Sequence, residues 1–355
     1  MLQVHPSSVV SLQALDGFSR AILAACGADP ATADAATRAM MHGTRLGVDS
    51  HGIRLLPHYI QALEGGRLNK TPNLRTVSSF GAVETLDADD AQGALAAYTG
   101  MARAIDLAER FGIGAVAIRN SSHFGPAGAF SIEAARQGYI GLTFSNSDSF
   151  VRLHDGAERF HGTNPIAVAV PSPGDHPWLL DMATSAVPYN RVLLYRSLDK
   201  PLPQAVASDA RGFDTQSAHE ADMLAPLGGT FGFKGAALAG VAEIFSAVLT
   251  GMKLSFDLAP MPGPDFSKPR GLGAFVLALR PEAFLDRATF DQGMARYVQT
   301  LRQSAPREGC RVMAPGDREW AVAKERDEQG VTVDPATLEA FQTLAQRYAV
   351  PMPCR

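Results

Sequence analysis

Apolar residues recur at helical spacing from the start of the chain. Leu12, Leu15, Phe18 and Ile22 share one face and Gly27 follows them, which predicts an amphipathic helix closed by a glycine. Asp29 and Pro30 then supply an N-cap and a first-turn proline, and Ala33, Ala36 and Met40 line one face of a second helix reaching the 45–47 region. These helices deliver Gly47-Val48-Asp49-Ser50-His51-Gly52 to a break. Between Gly93 and Phe111 a further helix turns Ala97, Met101, Ala104, Ile105 and Ala108 inward, and 113–118 is a short, wholly apolar strand. The loop Arg119-Asn120-Ser121-Ser122-His123-Phe124-Gly125 follows. A helix from Pro126 to Gly138 and a strand over 139–144 complete a strand, loop, helix, strand unit, and two more apolar strands are predicted over 165–170 and 178–182.

From Thr184 to about Pro226 the pattern loosens around Pro188, Pro201 and Pro203, which predicts surface loops and irregular helix. The segment 235–249 is apolar nearly all round apart from Glu243, as expected of a helix covered on most sides. Proline and glycine crowd 258–273, so a linker precedes a last strand at 274–279, and polar helices finish the chain. There is no internal repeat.

Composition narrows the class. At 355 residues the chain has room for about two domains of roughly 150 residues each. With 46% hydrophobic and 19% charged residues it is a folded globular protein rather than a disordered one. The 32 Lys and Arg against 36 Asp and Glu leave a formal charge of -4, which offers nucleic acid or an anionic membrane no electrostatic purchase. The opening segment lacks a basic stretch followed by an apolar one, so it reads as mature protein, and no apolar run approaches the roughly 20 residues of a membrane span. Cys26, Cys310 and Cys354 are odd in number and far apart, which fits reduced thiols in the cytoplasm. The absence of HExxH, of paired Cys or His at zinc spacing and of GxSxG gives metal binding and serine hydrolysis no support.

Gly112-x-Gly114-x-x-Ala117 has the spacing of a dinucleotide fingerprint but the wrong context: its glycines end a helix and begin a strand, whereas the fingerprint runs from strand to helix. They are read as punctuation. Gly228-Gly229-Thr230-Phe231-Gly232-Phe233-Lys234-Gly235 gathers backbone amides and a cation before a helix, so it is either a phosphate cradle or a flexible turn with Lys234 in water. His123 lies in the loop after a strand and before a helix, where open α/β sheets bind ligands; a solvated loop histidine is the plain alternative. Asp49-Ser50-His51-Gly52, with Arg45, Arg54 and Tyr59 nearby, is suited to binding and protonating a small anion, or else simply ends a helix. Asp181 closes an apolar strand and is a site carboxylate or a cap.

Together these segments resemble the type-2 malate and L-lactate dehydrogenase family, which includes sulfolactate, ureidoglycolate and diketogulonate dehydrogenases and cyclic imino-acid reductases. The resemblance is carried by GVDSHG at 47–52, GIGAVAIRNSSHFGPAG at 112–128, GTNPIAVAVP at 162–171, DMATS at 181–185, FKG at 233–235 and PGDREW at 315–320, in order along nearly the whole chain. It implies a mixed α/β, non-Rossmann fold, with a mixed, largely antiparallel sheet in a cofactor domain over 76–257. It also implies a helical segment over 1–75 packed with 280–355, and a linker and strand over 258–279. NAD or NADP as cofactor, a small 2-keto acid, 2-hydroxy acid or cyclic imine as substrate, and a homodimer with the site near the subunit boundary are further implications. Residue by residue, His51 and His123 match the family's acid/base histidines and Asp181 the carboxylate that supports them. Ser147, Met182, Ala183, Thr184, Lys234, Pro315, Gly316 and Asp317 match cofactor contacts, and Ser50 and Tyr59 match substrate-side positions.

The chemistry agrees, because hydride transfer to a carbonyl needs the nascent alkoxide protonated, and an imidazole beside a carboxylate gains proton affinity for that task. A Lys234 Schiff-base lyase and an inactive dinucleotide-binding protein are the rival readings. One departure bears on substrate: many members carry an arginine five residues after the motif serine, and here that position is Leu55. Arg54 cannot replace it without a backbone shift, since helical neighbours point about 100° apart. Arg191, in Val187-Pro188-Tyr189-Asn190-Arg191, is a second candidate source of charge. The substrate is therefore expected to be less acidic at that end than malate or sulfolactate.

Overall fold

A computed structural model describes residues 8–353; the first seven residues, read above as mature protein, and Cys354 lie outside them. The chain opens with β1 (Ser8–Val10), α1 (Leu12–Ala25), α2 (Pro30–Arg45) and α3 (Leu56–Gly65). Ser11 caps α1 through the Ala14 amide, and Asp29 caps α2 through the Thr32 amide ahead of Pro30. Two short 3-10 turns, Asp49–His51 and Ile53–Leu55, separate α2 from α3.

The middle of the chain holds β2 (Arg75–Phe80), β3 (Val83–Asp87), α4 (Gly93–Phe111), β4 (Ile113–Ser121), α5 (Gly128–Arg136) and β5 (Ile140–Ser145). Then come β6 (Val151–Arg152), β7 (Arg159–His161), β8 (Ile166–Val170), β9 (Trp178–Met182), α6 (Tyr189–Ser197), β10 (Ala207–Ser208), β11 (Met223–Leu224) and α7 (Phe233–Glu243). β12 (Leu272–Leu279), α8 (Arg287–Arg302), α9 (Asp317–Gln329), β13 (Val331–Val333) and α10 (Pro335–Tyr348) complete it.

The main sheet has seven strands in the order β2-β3-β4-β12-β5-β8-β9. Only β3 and β4 pair in parallel; every other neighbouring pair is antiparallel. β12 slots between β4 and β5, so the strand, loop, helix, strand unit is a split crossover with a late strand at its centre. That position explains the unbroken apolar run of β12. Val276, with Val116 and Ile118, faces α4 and α5, whereas Phe275, with Ala117 and Phe144, faces α7, so both sides of the strand are covered. Gly114 allows the α4 side to close, because a Cβ there would stand 2.0 Å from the Ala104 carbonyl oxygen. Gly112 takes the positive φ of the α4 C-cap. The false fingerprint is thus a helix end and a tight helix–strand contact.

A second apolar cluster joins the two ends of the chain: Phe18 and Ile22 of α1 and Ile60 of α3 pack with Phe341 and Leu344 of α10. The Phe18 and Phe341 rings sit 5.1 Å apart. β1 pairs with β13 beside them.

Two expectations are corrected. The segment from Thr184 to Pro226 is more than surface loop: it supplies α6 and half of a four-stranded sheet, β10-β11-β6-β7, around Val192, Leu202 and Leu224. Strands of two residues are too short to show alternation. The apolar helix is α7, continued by a π-turn over Ile244–Val248, and it is covered on one side only. Leu238, Val241, Ile244 and Val248 remain 41%, 39%, 55% and 61% exposed.

Candidate active site

The turns between α2 and α3 and the loop after β4 bring the two motif histidines together. The His51 and His123 rings stack with centroids 5.6 Å apart. Each has its Nδ1 engaged by a hydroxyl: Ser50 Oγ lies 2.9 Å from His51 Nδ1, and Tyr59 Oη lies 2.9 Å from His123 Nδ1. With Nδ1 held, Nε2 is the ring nitrogen left for chemistry in both residues. Gly125, at φ +85°, keeps the adjacent space open; a Cβ there would stand 3.7 Å from both the His51 carbonyl oxygen and the Tyr59 hydroxyl.

Burial sets the protonation state. It lowers His51 to about 4, and His123 is pushed well below the ordinary histidine value by burial and by the nearby charges of His51, His58 and Arg270. Both imidazoles are neutral at pH 7. Asp181, at the end of β9, is raised to about 6 by its own burial, and its Oδ2 accepts the Gly128 amide at 2.9 Å. Gly128 permits this, since a Cβ there would fall 2.7 Å from that oxygen. The Asp181 hydrogen bond goes to the start of α5, and burial shifts both imidazoles downward.

His51 and Asp181 line a cleft of about 490 Å³, together with Ser50, Gly125, Met182, Ala183, Pro315 and Gly316. Of the residues matched to cofactor contacts, these last four form its walls. Ser147 and Thr184 stand one step behind, tied to the wall residue Thr163: the Thr163 amide donates to Ser147 Oγ at 3.0 Å and Thr184 Oγ1 donates to the Thr163 carbonyl at 3.1 Å. Asp317 turns away to Arg302 of α8 and the Ala314 amide. Lys234 lies outside the cleft lining, with its Nζ 5.4 Å from the centre of the Phe231 ring. The lining mixes prolines and small residues with Leu46, Val48, Leu179, Leu180 and Met182, and Asp181, Arg318 and Glu319 add charged groups to it.

The three candidate arginines do not converge on the histidines. Arg45 falls on the face of α2 turned to α9, where Asp327 takes it in a bidentate pair, 2.7 and 2.6 Å. Arg54 is held by Asp334 at 3.0 Å at the start of α10. Arg191 lines a neighbouring chamber that does not include His51. Leu55 is 9% exposed, packs in the cluster joining the chain ends and also lines that chamber, where it offers no charge.

Several residues beneath the cleft escaped the sequence reading. Asn164, at φ +34°, accepts the Ser147 amide on Oδ1 and donates to Glu243 at 2.7 Å. Glu243 also accepts the Ser255 amide at 2.6 Å. This buried network ties α7 to the Ser147 and Thr163 turns. The signal available was a lone carboxylate in an otherwise apolar helix.

Among the described residues no helix is long and apolar enough to cross a membrane, and no group of three His, Cys, Asp or Glu is placed to hold a metal ion.

Comparison with known proteins agrees with the fold and the motifs. The profile of the malate/L-lactate dehydrogenase family matches residues 10–342. The chain is 31% identical to a malate dehydrogenase of Pyrococcus abyssi over 86% of this chain and 85% of that one. It is 34% identical to the (2R)-3-sulfolactate dehydrogenase (NADP(+)) of Chromohalobacter salexigens, over 91% and 94%. The crystal structure of the Entamoeba histolytica malate dehydrogenase superposes with a TM-score of 0.92 at 28% identity, covering 98% of this chain and 99% of that one. The delta1-piperideine-2-carboxylate reductase of Pseudomonas syringae superposes with a TM-score of 0.84 at 27% identity, covering 95% and 100%. The chain belongs to the malate/L-lactate dehydrogenase family, a family of NAD(P)-dependent 2-hydroxyacid dehydrogenases.

Proposed function

We propose that this protein transfers hydride between NAD or NADP and a small 2-keto or 2-hydroxy acid whose distal end is apolar or cyclic. The observation that carries the reading is the stacked His51–His123 pair, each imidazole held through Nδ1 by a hydroxyl, beside a cleft walled by Asp181, Met182, Ala183, Pro315 and Gly316. The bound nicotinamide would supply or receive the hydride. The chain's own work is to move the proton: a neutral imidazole accepts it from the alcohol, and the protonated ring returns it to the alkoxide. Ser50 and Tyr59 orient the rings, and Asp181 holds the start of α5 against the cleft.

The charge around the cleft supports the substrate class. Its lining contains one cationic side chain, Arg318, which is already paired with Glu319 at 3.0 Å. A second dicarboxylate charge has no dedicated guanidinium there, whereas a monocarboxylate or a cyclic imino acid needs none. Lys234, outside the lining, is poorly placed for a Schiff base. The test is nicotinamide absorbance during turnover with pyruvate, oxaloacetate, 3-sulfopyruvate, ketopantoate and the five- and six-membered cyclic imines. The expected result is turnover with a higher kcat/KM for pyruvate or an imine than for oxaloacetate. A flat signal with cofactor bound would identify an inactive dinucleotide-binding protein, and preference for oxaloacetate would refute the pocket assignment.

The same reading includes a homodimer in the cytoplasm. The exposed row Leu238, Val241, Ile244 and Val248 on α7 and its π-turn is a contiguous apolar face of the kind that a second subunit covers. Sedimentation should show a dimer, and Ile244→Glu should shift it to monomer; an unshifted dimer would place the interface elsewhere.

A further inference from the structure

Gln92 stands immediately before α4, fully buried against the loop that carries His123. Its side chain caps the helix, with Oε1 accepting the Ala94 amide at 2.7 Å. The other described helices with a side-chain cap use Ser11, Asp29, Asp286 and Asp334, residues just long enough to reach their own first turn. A glutamine adds what those lack: a pair of N–H donors at the far end. Nε2 donates to the His123 carbonyl at 3.4 Å. Burial pushes the Tyr59 phenol up, and a hydrogen bond from the Gln92 side chain pulls it back. The amide cannot be reversed, because the Ala94 N–H needs an oxygen and the His123 carbonyl needs a nitrogen. The whole segment is clamped to the loop: the Asp90 amide donates to the Asn120 carbonyl at 2.9 Å, Ser122 Oγ donates to the Ala91 carbonyl at 3.0 Å, and a Cβ on Gly93 would run into the Ser122 carbonyl oxygen.

We propose that Gln92 is a positioning residue that fixes the tautomer of His123; the proposal rests on the dehydrogenase reading above. With a Gln92 N–H given to Tyr59 Oη, and the Gln92 oxygen taken by Ala94, the Tyr59 proton goes to His123 Nδ1 at 2.9 Å, the one acceptor it meets among the described residues. Tyr59 is 2% exposed, so water does not compete. Nδ1 is then a lone pair, and a neutral His123 carries its proton on Nε2. In that form the ring presents an N–H, which can hold a carbonyl or alkoxide oxygen but cannot take a proton from an alcohol. His51 differs. Its partner, Ser50 Oγ, meets no such donor among the described residues and can turn to accept an Nδ1–H, which leaves the lone pair on Nε2. The proton-accepting half of the reaction therefore falls to His51.

The test is the nitrogen-15 NMR spectrum of protein labelled at its nine histidines, with the His123 signals identified by their loss in His123→Gln. At neutral pH wild-type His123 should show an unprotonated Nδ1 and a protonated Nε2. Gln92→Met fills the space without the amide, and Gln92→Ser keeps an ordinary cap for α4 without the donor. Both should bring His123 to a mixture of tautomers and lower kcat about threefold to tenfold, the worth of one neutral hydrogen bond, with the cofactor Kd near its wild-type value. Tyr59→Phe should do the same, and combining it with Gln92→Ser should cost no more than the larger single loss, since both act through one proton. A protonated Nδ1 on wild-type His123 would overturn the proposal, as would losses that multiply in the double variant. So would wild-type behaviour of Gln92→Ser, which would mark Gln92 as a helix cap and nothing more. Each of these leaves the dehydrogenase reading standing. The spectrum needs no turnover, so it decides the tautomer even if every substrate is refused and that reading fails.

Discussion

Replacing His51 or His123 by alanine is expected to lower kcat, by about 10²–10⁴-fold for the residue that carries the proton. The partner histidine's loss should instead weaken cofactor or substrate binding, because its ring stacks on the one that carries the proton. Tyr59→Phe keeps the aromatic packing but removes the hydroxyl from His123 Nδ1, so it should lower kcat with the fold intact. The pH profile gives an independent check. Burial depresses both imidazoles, His51 to about 4, so the neutral base form persists well into acid. In the direction of alcohol oxidation, kcat/KM should stay level from neutral pH downward and fall only as the pH approaches that value. In the direction of carbonyl reduction the donor must first bind a proton, so the rate should climb as the pH drops. An inflection near the ordinary histidine value of about 6.5 in both directions would show that neither depressed imidazole is the titrating group. A variant of either histidine with wild-type kcat and binding would mark that residue as a bystander.

Asp148→Asn is expected to destabilise the protein by about 3–5 kcal/mol, a large part of the roughly 5–15 kcal/mol that typically holds a domain folded. Asp148 and Arg270 form a buried ion pair, with side chains 8% and 2% exposed. Arg270 Nε also donates to the Ala259 carbonyl at 2.8 Å, and Asp148 Oδ2 accepts the Met261 amide at 3.1 Å. Removing the carboxylate's charge leaves a guanidinium uncompensated in a region closed to water. Denaturant unfolding measures the loss. The double variant Asp148→Asn with Arg270→Met should recover part of it, since the stranded charge is gone; a single variant within about 1 kcal/mol of wild type would show the pair to be solvated. The same charge bears on the site, because Arg270 lowers both His58 and His123, and Asp148 opposes it at His58.

The sequence by itself determined the local elements and the motifs that make up the candidate site. Helical spacing in α1, α2 and α4 and the apolar stretches in β4, β8 and β9 are properties of adjacent residues, so they were legible without a fold. The wrong strand-to-helix order around Gly112 was equally local, and it sufficed to reject the fingerprint. Loop and strand-end placement left His51, His123 and Asp181 open to plain structural readings, and it was the family resemblance of their motifs that singled them out. Only the tertiary structure decided what these groups face. Nothing in the run 272–279 says that it lies between β4 and β5, because strand order is set by contacts among residues far apart in sequence. Arg45, Arg54 and Arg191 are indistinguishable as nearby cations until Asp327 and Asp334, far along the chain, claim two of them and a separate chamber receives the third. Asp148 and Arg270 meet across 122 positions, and Tyr59 reaches His123 across 64. Such pairings leave no periodic trace, since each depends on one side chain meeting one distant partner. The downward shift of both histidines follows the same rule: a pKa reports what surrounds a group in space, and the surroundings exist only after folding.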